Sequence, residues 1–320
     1  MYIEKAYEGR NETWRYLVTM VLVIVVFFVG HIPVFAYLFS AGPNISETAL
    51  SKLDFRALGL DPNIGLALTL LPFALGFAAL LGAIVVIHQR SVKSALTARG
   101  RFDWGRFFMA AGLWLALTAC MELVMYGLNP DNYVFQLNWE GFLPLLAVSL
   151  IMLPLQTSFE ELLMRGYLMQ GLGIWVKFRW SPLLITSLLF GWMHGMNPEV
   201  EEFGFGLMMV YYVGVGLVLG ICTLMDDGLE LAFGFHAINN IYSATLVTFE
   251  GSALQTDALF RLKSLDPLLM LGGWALTAVI FLLLLSRKYQ WGSWNKLLAQ
   301  IEEPPPAENL AAEAAGETRP

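Results

Sequence analysis

Long apolar runs alternate with short polar connections along most of the chain. Eight of these runs approach the length of about 20 residues that a helix needs to cross a bilayer. The run at 181–197 is short and the run at 229–248 carries polar residues, so the pattern is weakest there. The predicted spans are 16–39, 63–88, 106–127, 142–171, 181–197, 205–225, 229–248 and 267–286. We predict an all-α fold, a polytopic transmembrane helical bundle of about eight spans with a polar intramembrane cavity.

Composition agrees with this pattern. Of the 320 residues, 57% are hydrophobic and 14% are charged, and the mean hydropathy is +0.60. Soluble domains carry about 25% charged residues, so the expected surroundings are a lipid bilayer. No basic cluster suggests a nucleic-acid partner. Within "GVGLVLG", Gly216 and Gly220 have a spacing that lets two membrane helices approach closely.

Three regions are expected. Residues 1–15 form an N-terminal segment before an uncleaved first span, 16–286 form the transmembrane domain, and 287–320 form an acidic tail that is disordered over its Pro- and Glu-rich part, 302–320. With eight spans, thirteen basic residues fall on the side that holds both termini. Four fall on the other side: Lys52, Arg56, Arg261 and Lys263. This bias predicts that both termini are cytoplasmic.

The stretch "TSFEELLMRG", 157–166, interrupts the fourth run with three charges. A charge at mid-membrane costs at least about 2.5–3.5 kcal/mol, so each one needs a partner or a function. Glu161 and Arg165 are four residues apart and can form an ion pair along one helix face. Glu160 is rotated by about 100° from Glu161, so the pair does not satisfy it.

The chain has four histidines. We expect His88 to be an interfacial residue at a span end, and His31, just before a proline, to satisfy backbone groups freed by a kink. His194 and His236 are the candidates for a site. His236 and Asn240 are four residues apart and project from one face of the seventh run.

The candidate residues lie at similar depths. At 1.5 Å per residue, Glu160 and Asn240 lie about 16 Å from the predicted cytoplasmic surface, His194 about 20 Å and His236 about 10 Å. Three helices therefore bring a carboxylate, two imidazoles and an amide towards one level. This predicts a single site within 142–248.

Two kinds of chemistry fit these residues. A carboxylate beside an imidazole can activate water for attack on a carbonyl, and N–H donors can stabilise the resulting oxyanion. Alternatively, Glu160, His194 and His236 could bind a divalent metal such as zinc, because two histidines and one glutamate form a catalytic zinc ligand set. The sequence leaves both possibilities open, a metal cofactor or none.

Three motifs occur in order on successive runs. "EELLMR" (160–165) has the pattern E-E-x-x-x-R, "FGWMH" (190–194) has F-x-x-x-H, and "HAINN" (236–240) has H-x-x-x-N. Over roughly 142–248 the chain resembles the CPBP family of intramembrane proteases, which includes the type II CAAX prenyl endopeptidases and bacteriocin-immunity proteins. The other spans are supported by hydropathy alone.

The resemblance implies an intramembrane protease with a cavity open to the cytoplasm or the membrane. Glu160 and His194 would activate water, and His236 and Asn240 would form the oxyanion hole. A further set would shape the site: Glu161, Arg165 and Phe190. Both a metal-dependent and a glutamate-dependent mechanism are argued for this family.

The expected substrate is a membrane-embedded peptide or protein, in a multi-pass protein of a bacterial inner membrane. Two other functions use the same residues. A proton-coupled transporter also needs buried ionisable groups, although no inverted repeat is visible. A scaffold or immunity protein would retain the motifs for packing and bind partners without cutting them.

Overall fold

The computed structural model describes residues 1–42, 46–51 and 53–303. Lys52 and the predicted disordered tail from residue 304 onwards lie outside this part of the chain. The α-helices, in chain order, are α1 (Thr13–Gly30), α2 (Ile32–Phe39), α3 (Glu47–Ser51), α4 (Pro62–Val86), α5 (Val92–Leu96), α6 (Trp104–Leu128), α7 (Trp139–Glu161), α8 (Met169–Val176), α9 (Trp180–Met193), α10 (Pro198–Phe203), α11 (Phe205–Asp226), α12 (Glu230–Thr245) and α13 (Pro267–Tyr289).

Shorter elements of other types complete the fold. A π-helical segment, Leu162–Leu168, joins α7 to α8 without a break. The 3₁₀ helices are Ile3–Glu8, Pro130–Asn132 and Trp294–Leu298. The strands are β1 (Tyr133–Phe135), β2 (Val247–Phe249) and β3 (Phe260–Leu262).

Each of the eight predicted spans contains a helix. Within the described residues, six helical stretches are long and apolar enough to cross a membrane: α1 with α2, α4, α6, α7 through α8, α11 and α13. The other two, α9 and α12, have 14 and 16 residues and fall short of that length. The polytopic helical bundle is confirmed, and the count of eight spans stays a prediction.

The three strands form a small sheet that the all-α prediction missed. Its order is β1–β3–β2, with β1 antiparallel and β2 parallel to β3. In this register Arg261 lies opposite both Val134 and Thr248. The sheet therefore ties the connection between α6 and α7 to the connection between α12 and α13, at the end of the bundle opposite the N-terminus.

Two of the long helices begin in the same way. Asp61 and Asp266 are N-caps whose carboxylates each accept two backbone N–H groups of the first turn. Pro62 and Pro267 follow at the first helical position, where a missing N–H costs nothing. An aspartate–proline pair thus marks the polar start of an apolar helix in both places.

The outer surface of the bundle is apolar, as expected for a surface that faces lipid. On α1, Leu17, Val21 and Phe28 are all more than 60% exposed.

The π segment is among the most buried parts of the molecule, and every residue from Leu162 to Tyr167 is buried. The most buried residues of the chain therefore include the charged stretch that the sequence analysis singled out.

The predicted close approach of two helices is confirmed between α9 and α11. A Cβ atom on Gly216 would lie 2.9 Å from the Cα of Ser187, and one on Gly220 would overlap Leu183. Neither Gly216 nor Gly220 therefore has room for a side chain. The glycines therefore set the distance between the two helices.

We predict that Gly216→Ala lowers the free energy of unfolding by about 1–3 kcal/mol, because the added methyl group must push α9 away. Gly206→Ala is the matched control, since nothing lies within 4 Å of a Cβ at that position of the same helix. Thermal unfolding in detergent would measure both. Equal melting temperatures in the two variants would show that the approach of α9 is not limiting.

Candidate active site

The charged stretch forms an ion pair in the centre of the bundle. Arg165 donates from Nη1 to Oε1 of Glu161 at 2.8 Å and from Nη2 to the carbonyl oxygen of Gly216 at 2.9 Å. Both charged side chains are fully buried. The guanidinium thereby connects the π segment to α11 at the point where Gly216 brings α9 close.

Glu161 has a second partner on α12. His236 donates from Nδ1 to the same Oε1 at 2.7 Å, because a carboxylate oxygen can only accept. This contact directs Nε2 of His236 towards Glu160, whose Oε2 lies 3.5 Å away. The adjacent glutamates therefore meet the two nitrogens of one imidazole ring, although they point to different faces of their own helix.

A chain of side-chain amides leads to Glu160 from the opposite side. Trp114 donates to Oδ1 of Asn239 at 3.1 Å, and Asn239 donates to Oδ1 of Asn240 at 3.2 Å. Asn240 in turn donates to Oε1 of Gln156 at 3.0 Å, and Gln156 donates to Oε1 of Glu160 at 2.6 Å. Each amide accepts from one neighbour and donates to the next, so the orientation of every member is fixed.

One oxygen of each glutamate is left over. Oε2 of Glu160 and Oε2 of Glu161 are buried and have no hydrogen-bond partner among the described residues. For Glu160 this is the oxygen that faces the imidazole of His236. It is the acceptor that a bound molecule at this site would meet first.

His194 lies at the end of α9 and is half-buried. Its Nδ1 donates to the carbonyl oxygen of Phe190 at 2.7 Å, which leaves the lone pair of Nε2 free. Its ring stacks on Tyr212 with centroids 4.6 Å apart. The hydroxyl of Tyr212 is fixed by Asn197 at 3.0 Å and Glu199 at 3.4 Å.

The ring of Phe190 lies between His194 and the rest of the site. Its ring centroid lies 4.4 Å from that of His194 and 5.9 Å from that of His236, and the Arg165 guanidinium lies 4.8 Å above it. Within the described chain, no hydrogen bond joins His194 to Glu160. Glu160 has its direct contact with His236, and His194 borders the site across the ring of Phe190. That Glu160 and His194 activate water together stays a prediction.

The metal alternative does not fit the arrangement of these side chains. Among the residues that the structure describes, no group of three or more His, Cys, Asp or Glu side chains has the spacing to hold a metal ion. The two nitrogens of His236 are both directed at carboxylates, and no hydrogen bond within the described chain joins His194 to Glu160. The side chains present therefore do not form the two-histidine, one-glutamate ligand set.

The other two histidines have structural contacts. His31 donates to the carbonyl oxygen of Phe27 at 2.8 Å, where α1 gives way to α2. His88 was expected at the interface but is only 3% exposed. Its two nitrogens contact the carbonyl oxygen of Arg10 and the hydroxyl of Tyr167, so it fixes the N-terminal segment to the π segment.

The sequence analysis missed three polar members of this site: Gln156, Asn239 and Tyr212. Gln156 precedes Glu160 by four residues, so the same spacing rule that paired Glu161 with Arg165 could have found it. Asn239 is adjacent to Asn240 and gave no periodic signal. Tyr212 was hidden within an apolar run, in which an aromatic residue is ordinarily packing.

Comparison with known proteins supports one family. A model of the type II CAAX prenyl endopeptidase Rce1-like family matches residues 139–242. The uncharacterised protein YyaK of Bacillus subtilis (strain 168) is 31% identical over 252 residues, which cover 77% of this chain and 81% of that protein. The chain belongs to the Rce1-like family. No solved structure matches it.

The Rce1-like match extends from the start of α7 into α12 and so includes every residue predicted for the site. The family is one of CAAX-type intramembrane proteases, which supports a peptidase at the family level. Together with the six long apolar helical stretches of the described chain, it identifies this Rce1-like chain as a multi-pass membrane protein.

We predict that Glu161→Ala lowers the free energy of unfolding by about 3–5 kcal/mol, because Arg165 would be left as a buried charge without its carboxylate. Glu201→Ala, at an exposed position of α10, is the control. Thermal unfolding in detergent is the measurement. A Glu161→Ala protein that melts with wild type would contradict a structural role for the pair.

Proposed function

We propose that this Rce1-like protein is an intramembrane endopeptidase that hydrolyses a peptide bond in a membrane-embedded peptide or protein. One observation carries the proposal. Oε2 of Glu160 is buried, lacks a partner among the described residues and lies 3.5 Å from an imidazole nitrogen. A carboxylate held in this way, next to a group that can donate to an oxyanion, is suited to activating water at a carbonyl.

In the proposed first step, Glu160 is the general base. Gln156 occupies Oε1 with its hydrogen bond, so Oε2 is the oxygen that takes the proton from water. His194 contributes the free lone pair of Nε2 as a second acceptor that orients the same water. The resulting hydroxide attacks the carbonyl carbon of the scissile bond.

The oxyanion that forms needs donors, and α12 supplies them. Asn240 uses one N–H for Gln156 and has a second one free for the oxyanion. His236 uses Nδ1–H for Glu161, so it donates from Nε2 only when both nitrogens are protonated. With an imidazolium there, two carboxylates balance one guanidinium and one imidazolium, and the buried cluster of Glu160, Glu161, Arg165 and His236 is neutral.

Collapse of the tetrahedral intermediate completes the reaction. The bond between carbon and nitrogen breaks, and Glu160 returns its proton to the leaving amine. The products are a carboxylic acid and an amine. Glu161 and Arg165 act through His236 in this scheme, because Glu161 accepts from its Nδ1 and Arg165 holds Glu161 in place, and Phe190 separates the two imidazoles.

The proposal extends to placement in the cell. We infer that both termini are cytoplasmic and that the protein lies in a bacterial cell membrane, the inner one where there are two, from the distribution of basic residues and the relative in Bacillus subtilis. Residues 1–15 would be the cytoplasmic N-terminal segment, 16–286 the membrane domain and 287–320 a cytoplasmic tail. The site would then be reached from the cytoplasm or from the bilayer.

We predict that Glu160→Gln and His194→Ala abolish proteolysis in a protein that still folds. Loss of the general base slows such a reaction by about 10²–10⁴-fold. The measurement compares new protein termini in membranes of cells that carry wild type, either variant, or the control Glu201→Gln at equal expression. Termini that persist with Glu160→Gln would refute the mechanism. If no termini differ and Glu160→Gln restores the phenotype of a deletion, the protein is a scaffold.

Gln156 provides a second, finer prediction. Gln156→Leu removes the hydrogen bond that orients Glu160, and cleavage of the substrate found above should slow by about tenfold to a hundredfold, the value of a hydrogen bond to a charged group. Thr157→Val at the neighbouring buried position is the control, because its hydroxyl bonds only to backbone carbonyls of its own helix. Unchanged cleavage in Gln156→Leu would show that the amide chain is not part of the mechanism.

A further inference from the structure

A second cavity lies away from the candidate active site, beneath the small sheet. Its volume is about 280 Å³, and it is enclosed by α6, α11, α12, α13 and the strands. Asn239 of the amide chain lines it, whereas Glu160, Glu161, His194, His236 and Asn240 do not, so the two regions adjoin across α12.

Besides Asp266, the N-cap of α13, Glu122 is the charged side chain that lines this cavity. It lies inside α6, six residues before the helix ends at Leu128. The hydroxyl of Tyr133 donates to its Oε1 at 2.5 Å and that of Tyr242 to its Oε2 at 3.4 Å. No cationic side chain of the described residues lies within 4.0 Å of it, although an ionisable group at this depth ordinarily has a charged partner.

The hydroxyls of Tyr133 and Tyr242 donate to Glu122 but provide no positive charge to balance its carboxylate. Burial, together with the hydrogen bond to Glu122, raises the pKa of the Tyr133 hydroxyl well above its ordinary value. Tyr133 therefore stays a neutral donor at physiological pH. The carboxylate of Glu122 therefore has no cationic partner in the described part of the chain.

The walls of the cavity are rich in aromatic side chains: Trp114, Tyr133, Tyr211, Tyr242, Phe249 and Trp274. Aromatic faces attract cations, and ammonium groups with carbon substituents are the ligands that such walls recognise. In addition, the indole N–H of Trp274 is buried without a partner among the described residues. It can donate to an oxygen of a bound molecule.

We propose that this cavity binds an organic ammonium group, with Glu122 as its counter-ion, aromatic side chains around its carbon substituents and Trp274 as a donor to a nearby oxygen. The volume fits a group the size of an amino-acid side chain or a lipid headgroup. A divalent metal ion is not favoured, because one of the two carboxylates that line the cavity, Asp266, already accepts two backbone N–H groups as the N-cap of α13, which leaves Glu122 alone. A neutral apolar ligand would leave the Glu122 charge uncompensated.

An ammonium group could come from a lysine of a peptide or from the headgroup of a phospholipid. The probes for the two sources are Nα-acetyl-lysine amide and choline. The uncharged isostere of choline, 3,3-dimethylbutan-1-ol, tests whether the charge matters. Binding of each to the purified full-length protein, in a detergent without ammonium groups, would be measured by titration calorimetry.

We predict that at least one ammonium probe binds wild type saturably and that the neutral isostere binds at least tenfold more weakly. Glu122→Gln should weaken ammonium binding at least tenfold, whereas Glu140→Gln, at an exposed position of α7, should not change it. Binding of choline alone would assign the cavity to a headgroup, and binding of the lysine derivative alone to a peptide. Lack of saturable binding by either ammonium, or equal binding by Glu122→Gln, overturns the proposal.

Variants at two adjacent glycines provide a second test, which does not depend on whether Glu122→Gln folds. Gly273 lines the cavity, and a Cβ there would meet Met121 at an ordinary 3.5 Å, so Gly273→Leu places a side chain in the cavity. A Cβ on Gly272 meets nothing within 4 Å, which makes Gly272→Leu the control. Binding should be lost only in Gly273→Leu, and equal binding by both variants argues against this cavity. Neither result depends on proteolytic activity.

Discussion

The rest of the structure depends on a single buried oxygen, Oε1 of Glu161. It accepts hydrogen bonds from Arg165 of the π segment and from His236 of α12. Because Arg165 also donates to the carbonyl oxygen of Gly216, this one atom links three stretches of helix at the centre of the bundle. Charges taken out of water are costly unless they are paired, so these contacts define where the helices can lie relative to one another.

Hydropathy was sufficient to predict where the helices lie. The predicted and observed ends differ by only a few residues, since the free energy of burying an apolar run in lipid depends mainly on its composition and length. Hydropathy does not register hydrogen bonds between connections distant in sequence. The sheet formed by 133–135 with 247–262 was therefore missed, and so was the π segment, whose bonding pattern is selected by its neighbours.

The depth of the polar residues in the bundle predicted which of them lie near one another, but not which of them are in direct contact. Counting residues from the surface predicted that Glu160, His194, His236 and Asn240 would come together. Glu160 contacts His236 and is linked to Asn240 through Gln156, while His194 borders this group across Phe190. Depth contains no information about rotation, and the π segment and the end of α9 change the direction in which side chains point. For this reason the carboxylate faces His236, and His194 contacts the ring of Phe190. The motifs of the family include these residues but give no distance between them.

The amide chain makes α12 a helix with two polar faces. One face carries His236 and Asn240 towards the buried glutamates, and the other carries Asn239 and Tyr242 towards the cavity under the sheet. Asn239 connects the two faces, because it donates to Asn240 on the first and accepts from Trp114, which lines the cavity. A short helix with polar groups on two of its faces is poorly suited to lipid, which is consistent with its less apolar sequence and with its packing against α6, α7 and α11.

The π segment makes the site sensitive to chain length. Its hydrogen bonds skip one residue more than those of an α-helix, so 162–168 contains one residue in excess of what a regular helix needs to join α7 to α8. A deletion of one residue there would give an uninterrupted membrane helix of ordinary geometry. A deletion between Glu161 and Arg165 would also shorten their spacing from four residues to three and so change the geometry of their ion pair. The buried pair therefore depends on the number of residues in this stretch.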